Sequence, residues 1–193
     1  MLKGSFTLVL SEKKLNSLDE IAKQAWAKIT SHQLRTVTQM SPANKTIVLP
    51  MCPSGVVQKK YGGVYVILNV ENGKAVIGQT TEFKNRFNQY AARASRSNPV
   101  EGDSINKAYY KDAQAVKART GNANLAFQRF IVYAWLKEDI TSRQIRNEML
   151  YLEHRLMLAF FECGLAYNTN DSAPQLNDFV TLDRPSESEV SNT

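Results

Sequence analysis

GVYVILNVENGKAVIGQTTEFKNRFNQY, residues 63 to 90, is the most informative stretch of this 193-residue chain. Two short apolar runs, residues 64–68 and 75–77, carry the β-branched and aromatic residues that favour strands. Between them stands Asn72-Gly73, a pair that accepts the positive φ angles of a two-residue hairpin turn. Gly78 then ends the second run. The stretch therefore predicts a tight β-hairpin.

A helix is expected directly after the hairpin. Thr80 or Thr81 is suited to cap a helix that begins near Glu82 and ends near residue 96. Arg86 and Tyr90 stand four residues apart, which places both side chains on the same side of that helix. Three further basic residues lie on its other faces: Lys84, Arg93 and Arg96.

Apolar periodicity and capping residues predict six further elements. They are a strand over residues 5–10, a helix from Ser11 to about His32, a strand over 46–49, a helix from Ser104 to about Lys117, a strand from Phe127 to Leu136, and a helix capped by Thr141 that runs through Cys163 to a stop at Gly164. The expected fold class is α+β. It has a small three-stranded antiparallel sheet flanked by helices, with an α/β extension at the N-terminus.

The chain divides by pattern into three parts. Residues 1–60 form the N-terminal extension, residues 61–170 form the main domain, and residues 171–193 form a polar tail that is expected to be partly disordered. The extension is either an arm that wraps a partner or a cover for the sheet of the following domain. The sequence leaves both roles open.

The composition favours an acidic partner. The formal net charge is +6 and the isoelectric point is near 9.3. The basic residues concentrate in the middle of the chain, since residues 74–119 hold nine Lys or Arg and four Asp or Glu. Nucleic acid is the leading candidate, and a merely soluble basic protein is about equally compatible with the charge alone.

The two cysteines and the terminal sequence point to a cytoplasmic protein. Cys52 and Cys163 match no metal or redox spacing and make no disulfide framework. The N-terminus has no signal-peptide pattern, and no apolar stretch approaches the length of a membrane span. We therefore expect a reducing compartment and no membrane partner.

Six features together resemble a known family. In chain order they are Gly63-Val64-Tyr65, Val76-Ile77-Gly78, Arg86, Tyr90, Glu153 and Asn168. This pattern, covering roughly residues 60 to 170, is similar to the GIY-YIG nuclease domain. The resemblance implies an Mg²⁺- or Mn²⁺-dependent endonuclease that hydrolyses phosphodiester bonds.

The resemblance implies a metal ligand and a phosphate contact. Glu153, on a late helix, would hold the metal, and Arg86 would contact the phosphate through its bidentate guanidinium. From the residues alone, the commoner role for Glu153 is that of a boundary glutamate, either paired with Arg155 or Arg146 or simply solvated. Arg86 is equally an exposed partner of Glu82, one turn away.

The remaining family positions would support the chemistry. Tyr65 would orient or deprotonate the attacking water, and Tyr90 would hold a phosphate or share the proton transfer. Asn168 would support the glutamate or the metal shell through its amide. Each has a structural alternative, which is packing for the two tyrosines and a turn for Asn168.

One position departs from the family pattern. The second motif begins with Val76 in place of tyrosine, and valine neither donates nor accepts a proton. Residues 74, 76 and 78 of a strand share one face, so Lys74 is a candidate to fill part of the gap. Some restriction members of the family carry a lysine in this role. A solvated lysine beside the turn is equally compatible with the sequence.

The expected substrate is double-stranded DNA, with the phosphate backbone contacted by Lys84, Arg93, Arg96 and Asn168. A type II restriction-type enzyme fits better than a homing or phage endonuclease, because homing members carry a long C-terminal extension and this chain ends about 25 residues after Asn168. Cutting both strands would favour a homodimer. The alternative is a non-catalytic or weakly active nucleic-acid-binding protein on the same scaffold.

Overall fold

The computed structural model describes residues 8–32, 46–96, 104–167 and 179–181. The elements follow in chain order: β1 (Leu8–Leu10), α1 (Glu12–Thr30), β2 (Thr46–Val48), β3 (Tyr61–Asn69), β4 (Ala75–Thr80), α2 (Phe83–Ser95), α3 (Ser104–Thr120), β5 (Phe127–Leu136), a 3₁₀ turn (Asp139–Thr141), α4 (Arg143–Glu162) and β6 (Phe179–Thr181). The α+β class is confirmed.

The main sheet has four strands in the order β2-β5-β3-β4. β3 lies in the centre and pairs antiparallel with β4 and β5, as a three-stranded antiparallel sheet requires. The expectation of three strands was wrong by one, because β2 pairs parallel with residues 129–131 of β5 and makes the sheet mixed. The sequence shows β2 as a strand but carries no signal for its partner.

A second, smaller sheet joins the two ends of the chain. β1 pairs parallel with β6, and Leu8 stands opposite Phe179. The predicted strand over residues 5–10 is thus present as Leu8–Leu10, and residues 5–7 lie outside the described part. Of the predicted tail, residues 171–193, the structure describes only 179–181, so the expected partial disorder lies outside the described residues.

The two faces of the main sheet bury different residues, as strand alternation requires. One face packs against α1 and α4, with Val64, Val66 and Leu68 at its centre. The other face packs against α2 and α3 and includes Tyr65 and Ile67. Because α1 and β2 belong to the first core, residues 10–32 and 46–49 cover and extend the sheet.

The loop of the hairpin is wider than the sequence suggested. The Asn69 N–H donates to the carbonyl of Lys74 at 2.8 Å, which leaves residues 70–73 as a four-residue loop in place of the expected two-residue turn. Gly73 has φ +74°. Two side chains stabilise this wider loop, since Asn69 Oδ1 accepts from the Glu71 N–H and Asn72 Oδ1 accepts from the Lys74 N–H.

Helix ends follow the predicted chemistry with shifts of one or two residues. Ser11 caps α1 and accepts from the Lys14 N–H. β4 continues past Gly78 to Thr80, so the helix cap moves to Glu82, whose N–H donates to Thr80 Oγ1. Ser142, not Thr141, caps α4, because Thr141 is part of the preceding 3₁₀ turn.

α4 ends as expected at Gly164, which has φ +67°. Among the helices of the described residues, none is both long enough and apolar enough to cross a membrane.

Candidate active site

Tyr65 occupies the middle of the sheet, on the face covered by α2. Its side chain is 2% exposed and packs edge-on against Phe87 and Tyr90, with ring centroids 5.6 and 6.2 Å away. β5 carries a bulge at this point: Val64 stands opposite Tyr133, whereas Tyr65 stands opposite Ile131. Bulges of this kind re-aim side chains and are common beside active sites.

Gly78 makes room for the Tyr65 phenol. The two residues are paired across β3 and β4, and a Cβ atom at position 78 would lie only 2.7 Å from Cζ of Tyr65. Gly63 is required for a different reason. Its φ is +148°, and a Cβ atom added at this position would overlap the Tyr133 carbonyl oxygen. The glycine of the second motif is therefore required by the tyrosine of the first.

α2 brings Arg86 and Tyr90 to the same place. Tyr90 is 7% exposed, and a hydrogen bond joins its side chain to that of Tyr65. Arg86 stays partly exposed. The expected alternative partner of Arg86 is engaged elsewhere, because Glu82 forms an ion pair with Lys137 at 2.9 Å. Within the described part of the chain, Arg86 forms no ion pair within 4 Å.

Glu153 reaches this group from α4, around the free edge of the sheet. β4 is an edge strand, so its outward N–H groups need partners. The Ala75 N–H donates to the Leu165 carbonyl, while Gln79 donates to the Glu153 carboxylate through both its backbone N–H and its side chain. Glu153 is half-buried, and its carboxylate lies beside β4, where it acts electrostatically on Tyr65.

The predicted alternative for Glu153 is not what the structure shows. Arg155 pairs with Asp19 of α1 at 2.7 Å and so is not the partner of Glu153. Burial raises the pKa of Glu153 to about 7, while the two hydrogen bonds from Gln79 and the nearby Arg86 guanidinium act to lower it. A carboxylate with a pKa near neutrality is typical of functional sites, although structural networks also produce such shifts.

Electrostatics also links Tyr65 to its neighbours. Burial raises the pKa of Tyr65 well above its usual value, and Tyr90 raises it further. Arg86 acts in the opposite direction, and Glu153 raises the pKa again. Tyr65, Tyr90, Arg86 and Glu153 thus lie within electrostatic reach of one another, and Tyr65 is a neutral hydroxyl at physiological pH.

Val76 and Lys74 do not complete this group in the described residues. Val76 is 1% exposed and packs in the core of the α2 face. Lys74 lies on that face as expected, but its Nζ stands over the ring of Tyr167, 6.0 Å from the centroid. It is four residues from Gly78, or about 13 Å along the strand.

The residues assigned to nucleic acid have different surroundings. Lys84 and Arg96 are exposed on and just after α2, and the Arg93 guanidinium carbon lies 5.9 Å from the centroid of the Tyr90 ring. The prediction that Arg93 lies on another face of α2 was wrong, because its guanidinium stands over Tyr90, four residues from Arg86. Asn168 falls outside the described residues.

Two residues of this region were missed by sequence reasoning. Gln79 holds the Glu153 carboxylate, and only its position just after the second motif hints at such a role. Arg129 of β5 is 9% exposed, and its guanidinium carbon lies 5.6 Å from the centroid of the Phe87 ring. Burial lowers the pKa of Arg129. Nothing in the sequence marks this arginine as buried, because the sheet face of an interior strand depends on its pairing.

Glu153 is the one carboxylate of this group that could bind a hard divalent cation, so the protein itself would supply few of the ligands. The described residues contain no group of three or more His, Cys, Asp or Glu side chains arranged to hold a metal. Glu153 is a single, partly exposed carboxylate. Mg²⁺ is often held by one or two carboxylates, with water and substrate phosphate as the other ligands. A site of that kind is compatible with Glu153.

Comparison of the chain with family models, with curated proteins and with solved structures returned no match.

Proposed function

We propose that this chain is a GIY-YIG-type, divalent-metal-dependent DNA endonuclease. The observation that supports the proposal is electrostatic coupling between three side chains from different elements: Arg86 and Glu153 both affect the pKa of the buried Tyr65, and Arg86 also affects the pKa of Glu153. Packing alone gives no reason to combine a buried tyrosine hydroxyl, a carboxylate of raised pKa and a guanidinium that has no ion-pair partner among the described residues.

Arg86 binds and stabilises the phosphate in this proposal. Its guanidinium is always charged and presents paired donors to phosphate oxygens. Glu82, the acidic residue one turn before Arg86, forms its ion pair with Lys137. The Arg86 guanidinium is therefore not neutralised by this neighbour. In a partly buried site such a charge is worth more than in water, since solvent screens it less.

Tyr65 orients the attacking water. Its pKa lies above its ordinary value of 10.0, so the hydroxyl is a poor base at neutral pH and a good hydrogen-bond donor and acceptor. Of the two roles considered for this residue, positioning is therefore favoured over deprotonation. Tyr90 holds the Tyr65 hydroxyl in place through the hydrogen bond between their side chains.

Glu153 would hold Mg²⁺ or Mn²⁺. The bound ion would polarise a phosphoryl oxygen and assist departure of the leaving oxygen. Gln79 fixes the carboxylate beside β4 by two hydrogen bonds, which reduces the cost of ordering it. A nearby cation would also favour the ionised form of this partly buried group.

The substrate class is double-stranded DNA, read by a restriction-type enzyme. Arg86 and Arg93 lie on one side of α2 and Lys84 is exposed on another, and these charges support binding to a phosphate backbone. A homodimer would place two sites on a duplex and match a palindromic sequence.

One observation favours a second function, a weakly active or purely binding domain. Val76 is buried in the core, so the position where the family has tyrosine supplies no hydroxyl. A chain that binds DNA without cutting it would need the basic residues of α2 but not Glu153.

Plasmid cleavage separates the two functions. Supercoiled plasmid is incubated with the pure protein in Mg²⁺ or in EDTA. The nuclease proposal predicts nicked or linear DNA only with metal, and a loss of at least about 100-fold for Glu153→Gln.

The matched control is Glu162→Gln, a change of the same type at the exposed end of α4, which should leave the rate unchanged. Salt-sensitive binding without cleavage in any divalent metal would support the second function instead.

A further inference from the structure

A groove lies where β3 begins and β5 ends. Tyr61 pairs with Leu136, and the Lys137 N–H donates to the Lys60 carbonyl at 3.0 Å, so the two strand ends are held together. The groove has a volume of about 610 Å³. Its lining consists of Lys59, Lys60, Leu136, Lys137 and Glu138. We call it the lysine groove.

The lysine groove adjoins the candidate active site. Lys137 forms its ion pair with Glu82, the residue that caps α2, and Arg86 follows one turn later. The Lys84 N–H donates to the Gln58 carbonyl, which ties the start of α2 to the segment that carries Lys59. Four residues of helix span about 6 Å. The groove and the arginine are therefore near neighbours on one surface.

The lining combines positive charges with one apolar side chain, which suits a polyanion that also has apolar groups. Lys59 and Lys60 are exposed, and lysine is a compact charge that binds phosphate without demanding one geometry. Lys137 is also exposed but is paired with Glu82, and Glu138 adds one negative charge to the lining. Leu136 is 37% exposed and adds an apolar side chain to the lining. A nucleic-acid strand offers both partners, because its phosphates alternate with sugars. An acidic protein surface would match the charge but gives no regular counterpart to Leu136.

We propose that the lysine groove binds the phosphates of the DNA strand that flank the phosphate held by Arg86. This inference rests on the proposed function, in that it takes the same substrate. The groove adds affinity and fixes the direction in which the strand crosses the site. It takes no part in the chemical step.

Salt-dependent DNA binding tests the groove without cleavage. A 30-base-pair duplex is titrated with the full chain in EDTA at several NaCl concentrations. Each lost phosphate contact should reduce the slope of log K against log salt by about 0.9. The double variant Lys59→Gln/Lys60→Gln should therefore lose close to two units of slope and about tenfold or more in affinity near 0.1 M salt.

The matched control is Lys23→Gln/Lys28→Gln. Both lysines are exposed on α1, which covers the opposite face of the sheet, so the net charge changes equally without touching the groove. Equal slopes for the two double variants would overturn the inference. A Leu136→Ser variant should weaken binding at every salt concentration with the slope unchanged. No effect of that change would overturn the apolar contact.

The two proposals fail in different ways. If the groove variant shows a reduced slope of log K against log salt while the wild-type chain cuts no DNA in Mg²⁺, DNA binding by the groove is supported and the nuclease proposal fails. If the wild-type chain cuts DNA and both double variants bind alike, the nuclease proposal stands and the groove fails.

Discussion

Single residues show how closely the two glycine motifs depend on each other. Tyr65 is buried beneath Phe87 and Tyr90, and its phenol fills the space above Gly78. The resemblance to the two family motifs had marked both residues. It did not reveal that one makes room for the other, because that follows from the cross-strand register and from the rotamer of the tyrosine.

Gly78→Ala should destabilise the fold through Tyr65. The added methyl group overlaps the phenol, and overpacking of this kind costs about 1–3 kcal/mol. The free energy of unfolding, measured in urea, should fall by that amount. In a Tyr65→Leu background the same change should cost clearly less, because leucine has no Cζ or hydroxyl at that place. Equal costs in both backgrounds would show that the two residues are not coupled.

Glu153 should make stability depend on pH. Its folded pKa of about 7 lies above the ordinary value of 4.5, so between these values the folded protein holds more protons than the unfolded chain. Stability from this group is full below pH ~4.5 and is lost as the pH rises through about 7.

The measurement is the unfolding temperature of the wild type and of Glu153→Gln from pH 5 to pH 8.5. The unfolding temperature of the variant relative to that of the wild type should rise as the pH increases from 5 through about 7. A difference that stays constant with pH would mean that the carboxylate is not desolvated.

Among the elements, the edge strand β4 connects the two halves of the site. One side of β4 pairs with β3 and places Gly78 beneath Tyr65, and its free edge holds Glu153 through Gln79. The sequence predicted both apolar runs of the hairpin, the helix after it and the long helix that carries Glu153. It missed the extension of β4 to Thr80, because the apolar pattern stops at Gly78 while backbone pairing continues.

Gln79 and Lys74, at opposite ends of β4, should contribute unequally to cleavage. Gln79→Leu removes the side-chain hydrogen bond to Glu153 and should lower the cleavage rate about 10- to 100-fold, as changes to residues that orient a metal ligand do. Lys74→Ala should lower it less than threefold, since Lys74 contacts Tyr167 and stands about 13 Å along the strand from Gly78. A loss for Lys74→Ala as large as that for Gln79→Leu would instead give this lysine the role of the missing tyrosine.

At the scale of the whole molecule, the packing of α1 and the pairing of β2 were the features least predictable from the sequence. α1 was predicted with its cap and its apolar stripe, and β2 was predicted as a strand. The sheet that β2 joins and the helix that α1 covers were not predictable, because partner choice between distant segments depends on shape and not on local pattern. The residues of the candidate site were chosen by the family resemblance, and their catalytic roles stay predictions.

Ile29→Ala should destabilise the entire fold. Ile29 is fully buried in the core that α1 shares with α4, and such truncations cost about 2–5 kcal/mol. Unfolding followed by tryptophan fluorescence and by circular dichroism should shift together to lower urea. Loss of only the α1 signal, with the rest of the chain unfolding as before, would mean that the helix is an appended arm.

The most direct measurement is a double-variant cycle on single-turnover cleavage of plasmid DNA in Mg²⁺, with Arg86→Ala, Glu153→Gln and both together. If the two side chains act on one phosphate, each single variant should lose about 100-fold or more, and the double variant should be little slower than the slower single variant. Losses that multiply in the double variant, or single variants that cut like the wild type, would contradict a shared site.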